Sequence, residues 1–298
     1  MGETPVNSTA AALELVGLEP VMALSVGNPE IRIGLVDGPV AIDHPDLAGA
    51  NIRPVEGAAT ACSTSRSSAC VHGTFVAGIV AARRGSPAPA ICPGCTLLVR
   101  PIFREAGADG ISASPDDVAQ AIGECVGAGA RIVNLSAATV APTTRAERSL
   151  RLALDHAARR GTLVVAAAGN QATLGSSEIT RHPAVIPVVA YTLDGRPMQQ
   201  SNFGTSLGRW GLGAPGEGIV SLAAEGLPAP RAGTSVAAAF VTGAIALLWS
   251  LFPAADTGLL RQAFSPSRRS SVIPPLMNAR AAYSALAASS SRLPAIVA

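Results

Sequence analysis

The stretch from Arg231 to Ser250 limits the possible folds more than any other part of the chain. A small-residue turn, Arg231-Ala-Gly-Thr-Ser235, runs into Val236-Ala-Ala-Ala-Phe-Val-Thr-Gly-Ala-Ile-Ala-Leu-Leu-Trp-Ser250. The apolar run Val236 to Leu251 contains Thr242, Gly243 and Ser250 and falls short of the roughly 20 residues a bilayer requires. A helix that is apolar all round and does not cross a membrane has to be enclosed by other elements. Ser235 stands at the head of this helix, where unpaired backbone N–H groups and the positive end of the dipole favour a hydroxyl that becomes anionic. Capping preference alone also places Ser at such a position. The stretch by itself fits a capped core helix and a nucleophile equally.

The remaining sequence supplies the enclosing layers. Ile31-Arg-Ile-Gly-Leu-Val36 is a short β-branched run ending on Asp37-Gly38-Pro39, the pattern of a buried parallel strand. Asp37 thus sits at the C-terminal end of a strand, where open α/β sheets place their ligand sites. Similar runs occur at Thr96–Phe103, Arg131–Ser136, Thr162–Ala167, Ile186–Ala190 and Gly218–Ser221. Helical patterns lie between and after them: Val71–Ala82, from Ser114-Pro-Asp-Asp to about Gly127, Thr144–Arg160, Asp256–Phe264 and Ala279–Ala288. This alternation predicts an α/β protein, a three-layer α/β/α architecture with a mostly parallel central sheet. No linker, repeat or low-complexity tract divides residues 1–298, so one domain is expected, with residues 1–30 a helical extension and 289–298 a flexible tail.

Composition narrows the function classes. With 48% apolar and 14% charged residues the chain can bury a substantial core. A net charge of +2, with no Lys and no dense Arg run, gives no reason to expect nucleic acid or a membrane surface as partner. The N-terminus lacks the basic and apolar regions of a secretory signal, so the expectation is a cytoplasmic protein, or a secreted one whose leader has been removed. Five Cys permit two bridges, with Cys62–Cys70 and Cys92–Cys95 the nearest pairs and Cys125 left over. Cys92-Pro-Gly-Cys95 has the spacing of redox and metal motifs, but no second such motif accompanies it. Buried filling or a short disulfide is expected there, and no cofactor or metal site.

Asp37 after a strand, His72 at a helix start and Ser235 at another helix start can form an acid–base–nucleophile triad. A base takes the Ser proton, and a carboxylate fixes the imidazole tautomer and stabilises imidazolium. Their flanks resemble the subtilisin-like serine proteases (subtilases): Ile33-Gly-Leu-Val-Asp37 with His44-Pro-Asp-Leu47, His72-Gly-Thr-Phe-Val-Ala-Gly78, Ala166-Ala-Ala-Gly-Asn170 and Gly233-Thr-Ser-Val-Ala-Ala238. The resemblance implies Asp37 as orienting acid, His72 as general base, Ser235 as nucleophile and Asn170 as side-chain donor to the oxyanion, beside the Ser235 N–H. It further implies a peptide or protein substrate. One wall of its site would be Asn134, Leu135, Ser136, Ala137 and Ala138, the other Ala167, Ala168 and Gly169, with Thr234 beside the nucleophile. Extended substrates pair with such a strand through their main chain.

The departures from the family pattern carry their own expectations. Ala138 and Thr139 stand where a Gly pair is usual, which should narrow the pocket mouth and favour a small P1 residue. Ala239 replaces the usual Pro and bears on the geometry of the Ser235 turn, and Phe75 replaces a common His. Asp46 matches a frequent calcium-binding position, but the loop Arg83 to Ile91 lacks the oxygens of a calcium cage, so Asp46 is expected to cap a turn. Asp37-Gly-Pro-Val40 is similar to the corresponding block of the cyanobactin maturation proteases, subtilases that cut ribosomal precursor peptides. The compact interval between His72 and Ser235 leaves little room for a macrocyclase-type helical insertion. Two rival readings are an inactive subtilase fold that binds peptides, and an esterase, which commonly carries a Gly-x-Ser-x-Gly elbow that Gly-Thr-Ser-Val-Ala is not.

Overall fold

The computed structural model describes residues 5–58, 60–105, 113–137, 144–264 and 271–290. Seven strands make one sheet: β1 (Arg32–Asp37), β2 (Asn51–Pro54), β3 (Thr96–Pro101), β4 (Ile132–Leu135), β5 (Leu163–Ala167), β6 (Val185–Tyr191) and β7 (Leu212–Pro215), in the order β2-β3-β1-β4-β5-β6-β7. Every neighbouring pair is parallel. Alternate residues of the central strands enter different cores, which is why those strands read as continuous apolar runs. Ile33, Leu35, Ile132, Leu163 and Val165 join one core, and Val36, Val133, Leu135, Val164 and Ala166 the other.

Helices cover both faces. The first face carries α1 (Pro5–Leu15), α2 (Glu19–Met22), α3 (Ser68–Ala81), α8 (Thr234–Leu251), α9 (Thr257–Phe264) and α10 (Ala279–Ser290). The second carries α4 (Pro115–Gly127), α5 (Thr144–Arg159) and α6 (Glu178–Arg181), while α7 (Thr205–Trp210) lies beside β6. The fold is therefore three-layered α/β/α. Every residue of α8 from Thr234 to Trp249 is buried, as an all-apolar helix requires. Its few polar groups are satisfied internally: Thr242 Oγ1 donates to Asn134 Oδ1 at 2.9 Å and Trp249 Nε1 to the Ala255 carbonyl at 2.9 Å.

Several boundaries differ from the sequence reading for identifiable reasons. The helical segment expected at the N-terminus breaks at Gly17, whose φ of +63° ends α1 before Pro20 helps open α2. The edge strands β2 and β7 are short and carry Pro54 and Pro215, which hid them in the pattern. The run at Gly218–Ser221 yields only β8 (Ile219–Val220), which pairs antiparallel with β9 (Pro230–Arg231) apart from the main sheet. Residues 289 and 290 belong to α10, and the rest of the expected tail lies outside the described residues.

Arg84, just beyond α3, fastens the N-terminal segment to this core. Its guanidinium donates to the carbonyls of Met22, Ser25 (2.6 Å) and Ile91 (3.2 Å). Replacing it by Met leaves those half-buried carbonyls without a donor. Arg84→Met is expected to cost roughly 2–4 kcal/mol, a fall in Tm of about 3–7 °C for a chain of this size. Thermal unfolding of the two proteins measures it, and equal Tm values contradict this role for Arg84.

Candidate active site

The site lies where the crossovers reverse direction. β1 stands between β3 and β4, and the two helices packed on it, α3 and α4, cover opposite faces, so a crevice opens at the C-terminal ends of β1 and β4. Asp37 ends β1 there and is fully buried. Its Oδ1 accepts from the Gly38 N–H and meets His72 Nδ1, each at 2.6 Å. Two glycines make that pair possible: a Cβ on Gly38 would lie 2.0 Å from the Ala69 carbonyl oxygen, and one on Gly73 would lie 2.4 Å from the Gly38 and Pro39 carbonyl oxygens. With no Cβ in the way, α3 rests its backbone directly on the loop that follows Asp37. Ser67 caps that helix by accepting from the Cys70 N–H at 3.0 Å. The Cys62–Cys70 disulfide (S–S 2.01 Å) ties the helix start to the preceding loop, and Cys92 is bonded to Cys95.

The other ring nitrogen of the imidazole meets the nucleophile position. His72 Nε2 lies 2.9 Å from Ser235 Oγ, and Phe103 sets its ring edge-on to His72 at 6.2 Å. Ser235 is the second residue of α8, delivered by Gly233, whose φ of +144° suits glycine alone and whose N–H donates to the Gly216 carbonyl at 2.8 Å. Ala239 is fully buried in an unbroken α8, so the turn aims the hydroxyl at His72 without the usual Pro.

Asn170 follows β5 and is exposed. The Thr234 N–H donates to its Oδ1 at 2.9 Å, and the Gly169 N–H donates to Thr234 Oγ1 at 3.1 Å. With the carbonyl end of the amide thus held, its NH2 end is left to donate beside the start of α8. Asn202, read in the sequence only as part of a supporting block, organises this loop: its Oδ1 accepts from the Gln171 and Thr173 N–H groups, and its Nδ2 donates to the Ala168 carbonyl at 3.0 Å. Nothing local in Ser201-Asn-Phe-Gly204 distinguishes that role from a turn. Its partners lie about 30 residues away in the chain.

The walls of the site need one correction. Asn134 and Leu135 have no exposed surface, and the Asn134 amide is occupied by Thr242 and by Ser136 Oγ at 3.2 Å. Their side chains support the wall, whose accessible part begins at half-buried Ser136, with Ala137 buried beside it. Ala167, Ala168, Gly169 and Thr234 gather at the end of β5 and the start of α8. Ala138 and Thr139 lie outside the described residues.

Asp46 is not a turn cap. His44 Nδ1 fills that role by accepting from the Asp46 N–H at 3.0 Å, while the Asp46 carboxylate pairs with Arg83 at 2.8 Å. Cys125 is buried against Gly34, and burial pushes its thiol up to about 12, so it is no nucleophile.

Comparison with known proteins agrees with this architecture. The model of the subtilase family matches residues 28–272, and the chain belongs to that family. It is 33% identical over 227 residues to a thermophilic serine proteinase from Bacillus sp. (strain AK1), covering 75% of this chain and 53% of that protein. It is 28% identical to Fervidolysin of Fervidobacterium pennivorans, covering 84% of this chain but only 39% of that protein. Among solved structures, a mutant of the protease domain of PatA superposes with a TM-score of 0.79 at 31% identity, covering 88% of this chain and 97% of that one. The Prenylagaramide maturation protease PagA does so with a TM-score of 0.79 at 28% identity, covering 91% and 98%.

The electrostatics of His72 set its pH dependence. Burial lowers its pKa, but the charge and hydrogen bond of Asp37 raise it by more, and Arg231 pulls it partly back, leaving it above its ordinary value. Below its shifted pKa the imidazole is protonated and cannot accept the Ser235 proton. Reaction of Ser235 with a fluorophosphonate should therefore rise with pH through a midpoint above the ordinary imidazole value of 6.5. The stability contributed by the charged pair has the opposite sense: it is complete below the unfolded pKa of His72 and fades as pH rises through the folded one. Labelling rates across pH measure the midpoint, and one at or below the ordinary value contradicts the dominance of Asp37.

Proposed function

We propose that this protein is a serine endopeptidase that cleaves through an acyl-enzyme. The observation that carries the reading is the continuous chain from Asp37 Oδ1 to His72 Nδ1 at 2.6 Å and from His72 Nε2 to Ser235 Oγ at 2.9 Å. In this reading His72 Nε2 takes the hydroxyl proton as Ser235 Oγ attacks the scissile carbonyl. Asp37 holds the Nδ1–H tautomer and stabilises the imidazolium, which then gives the proton to the departing amine. The negative charge that develops on the carbonyl oxygen is met by Asn170 Nδ2 and the Ser235 N–H at the head of α8, whose dipole adds to the field. Water enters by the reverse sequence and frees the acid product. None of these steps calls for a cofactor.

The finer reading is a narrow-specificity protease that matures a ribosomal precursor peptide. It is supported by Asp37-Gly-Pro-Val40 and by the likeness to PatA and PagA, the latter named as a maturation protease. A panel of ribosomal precursor peptides incubated with the wild type tests it, and cleavage of unrelated unfolded proteins at equal rates contradicts it.

Fluorophosphonate labelling, abolished by Ser235→Ala, tests the enzymatic reading itself; an unlabelled wild type at neutral pH favours a peptide-binding module. Asn170→Ala is expected to lower kcat by about 100- to 1000-fold with little change in KM, as loss of a donor used only in the transition state does. Steady-state kinetics on a cleaved peptide separate the two constants.

A further inference from the structure

Arg231 is an exposed cation beside the site that the chemistry above does not use. It belongs to β9, whose partner β8 leads into Ser221, and Ser221 Oγ donates to the Phe75 carbonyl at 2.7 Å. The β8–β9 hairpin therefore rests on α3, where Phe75 lies one turn beyond His72. The guanidinium carbon of Arg231 stands 5.7 Å from the centre of the Phe75 ring, within reach of a cation–π contact. It is close enough to His72 to oppose that residue's protonation.

Arg231 has no acidic partner: no carboxylate among the described residues lies within ion-pair distance of it. Glu225, in the loop of its own hairpin, is held by Arg66 at 2.9 Å and by Ser65 at 2.8 Å. In the endopeptidase reading the acyl half of the substrate lies against the residues that follow β4 and β5, Ser136, Ala137 and Gly169. The hairpin borders the half containing His72, past which the leaving amine departs with its proton.

We propose that Arg231 is a specificity residue that selects an acidic side chain at the first or second position after the scissile bond. The inference rests on the endopeptidase reading. A guanidinium steadied over an aromatic face offers two parallel N–H donors to a carboxylate, with less ordering cost than a free Arg or a Lys. Because the site is open to water the preference is modest, about three- to tenfold.

The test is cleavage of a diverse peptide library by the wild type, Arg231→Gln and Arg231→Glu, with mass spectrometry of the new N-termini. The wild type should favour Asp and Glu over Asn and Gln by about three- to tenfold at one of the two positions. Arg231→Gln should erase that preference, and Arg231→Glu should replace it with one for Arg and Lys. Arg231→Gln should also move the labelling midpoint of Ser235 to higher pH, since the charge opposing imidazolium is gone. A wild type that cuts without acidic enrichment, or enrichment that survives both variants, overturns the assignment of Arg231 alone. A wild type that neither labels nor cuts overturns the endopeptidase reading beneath it.

Discussion

A carboxylate taken wholly out of water is the constraint around which this site is built. An isolated buried charge is costly enough that it neutralises or finds a partner. The polar contacts of Asp37 run through a single oxygen, to its own Gly38 N–H and to His72, while Oδ2 is buried with no partner among the described residues. His72 is therefore the group that makes burial of Asp37 tolerable, and removing one member of such a pair costs about 3–5 kcal/mol because the other is left uncompensated. The imidazole in turn can reach Asp37 only because Gly38 and Gly73 let α3 touch the loop behind it. Two missing Cβ atoms decide whether acid and base meet at all.

The same logic extends to the second half of the site. The backbone at the head of α8 and the loop after β5 hold each other: Thr234 gives its N–H to Asn170 and receives one from Gly169. Oxyanion donors contribute most when they are fixed before the charge develops. Asn202 stiffens that loop from a third segment by bonding its backbone at three points. The proposed triad and oxyanion donors thus depend on contacts between backbones, with Asp37 held by a strand, His72 by a helix and Asn170 by a clamped loop.

Most of the fold was legible because buried parallel strands announce themselves as short β-branched runs and the helices as capped, periodic segments; Ser114-Pro-Asp-Asp marked the start of α4 to the residue. The Asp37, Ser235 and Asn170 positions were legible because each falls at or just beyond the end of an element beside a distinctive small-residue turn; His72 stood out by its His-Gly-Thr block, and α3 begins at Ser68, three residues before the Val71 read from the pattern, so His72 lies inside the helix. What escaped was nonlocal. No pattern around Asn202 tells that it clamps the Asn170 loop, and nothing in Asn134-Leu135 tells that those side chains face inward. Asp46 was misread because an acid in a turn looks like a cap until the neighbouring His44 takes that place. Arg231 drew no notice as a charge in a loop; its meaning comes from Phe75 and His72, more than 150 residues earlier.

The arginines around α3 show how this chain handles cationic positions. Asp46 matches a position that often binds calcium in subtilases, and here its carboxylate is engaged by Arg83. Next to it, Arg84 collects the carbonyls of Met22, Ser25 and Ile91, an all-oxygen donor set of the type a hard cation attracts. A guanidinium satisfies such carbonyls with directed N–H donors and remains attached to the chain. The N-terminal segment is thereby fastened to the end of α3 by a group of the chain itself. With Lys absent, every side-chain cation that can play this part permanently is Arg. Fixed cations at the end of α3 anchor the helix that carries His72, while the exposed cation at β9 modulates the charge on that same imidazole. Asp37 sets the basicity of that imidazole, and Arg231 makes the smaller, opposing contribution.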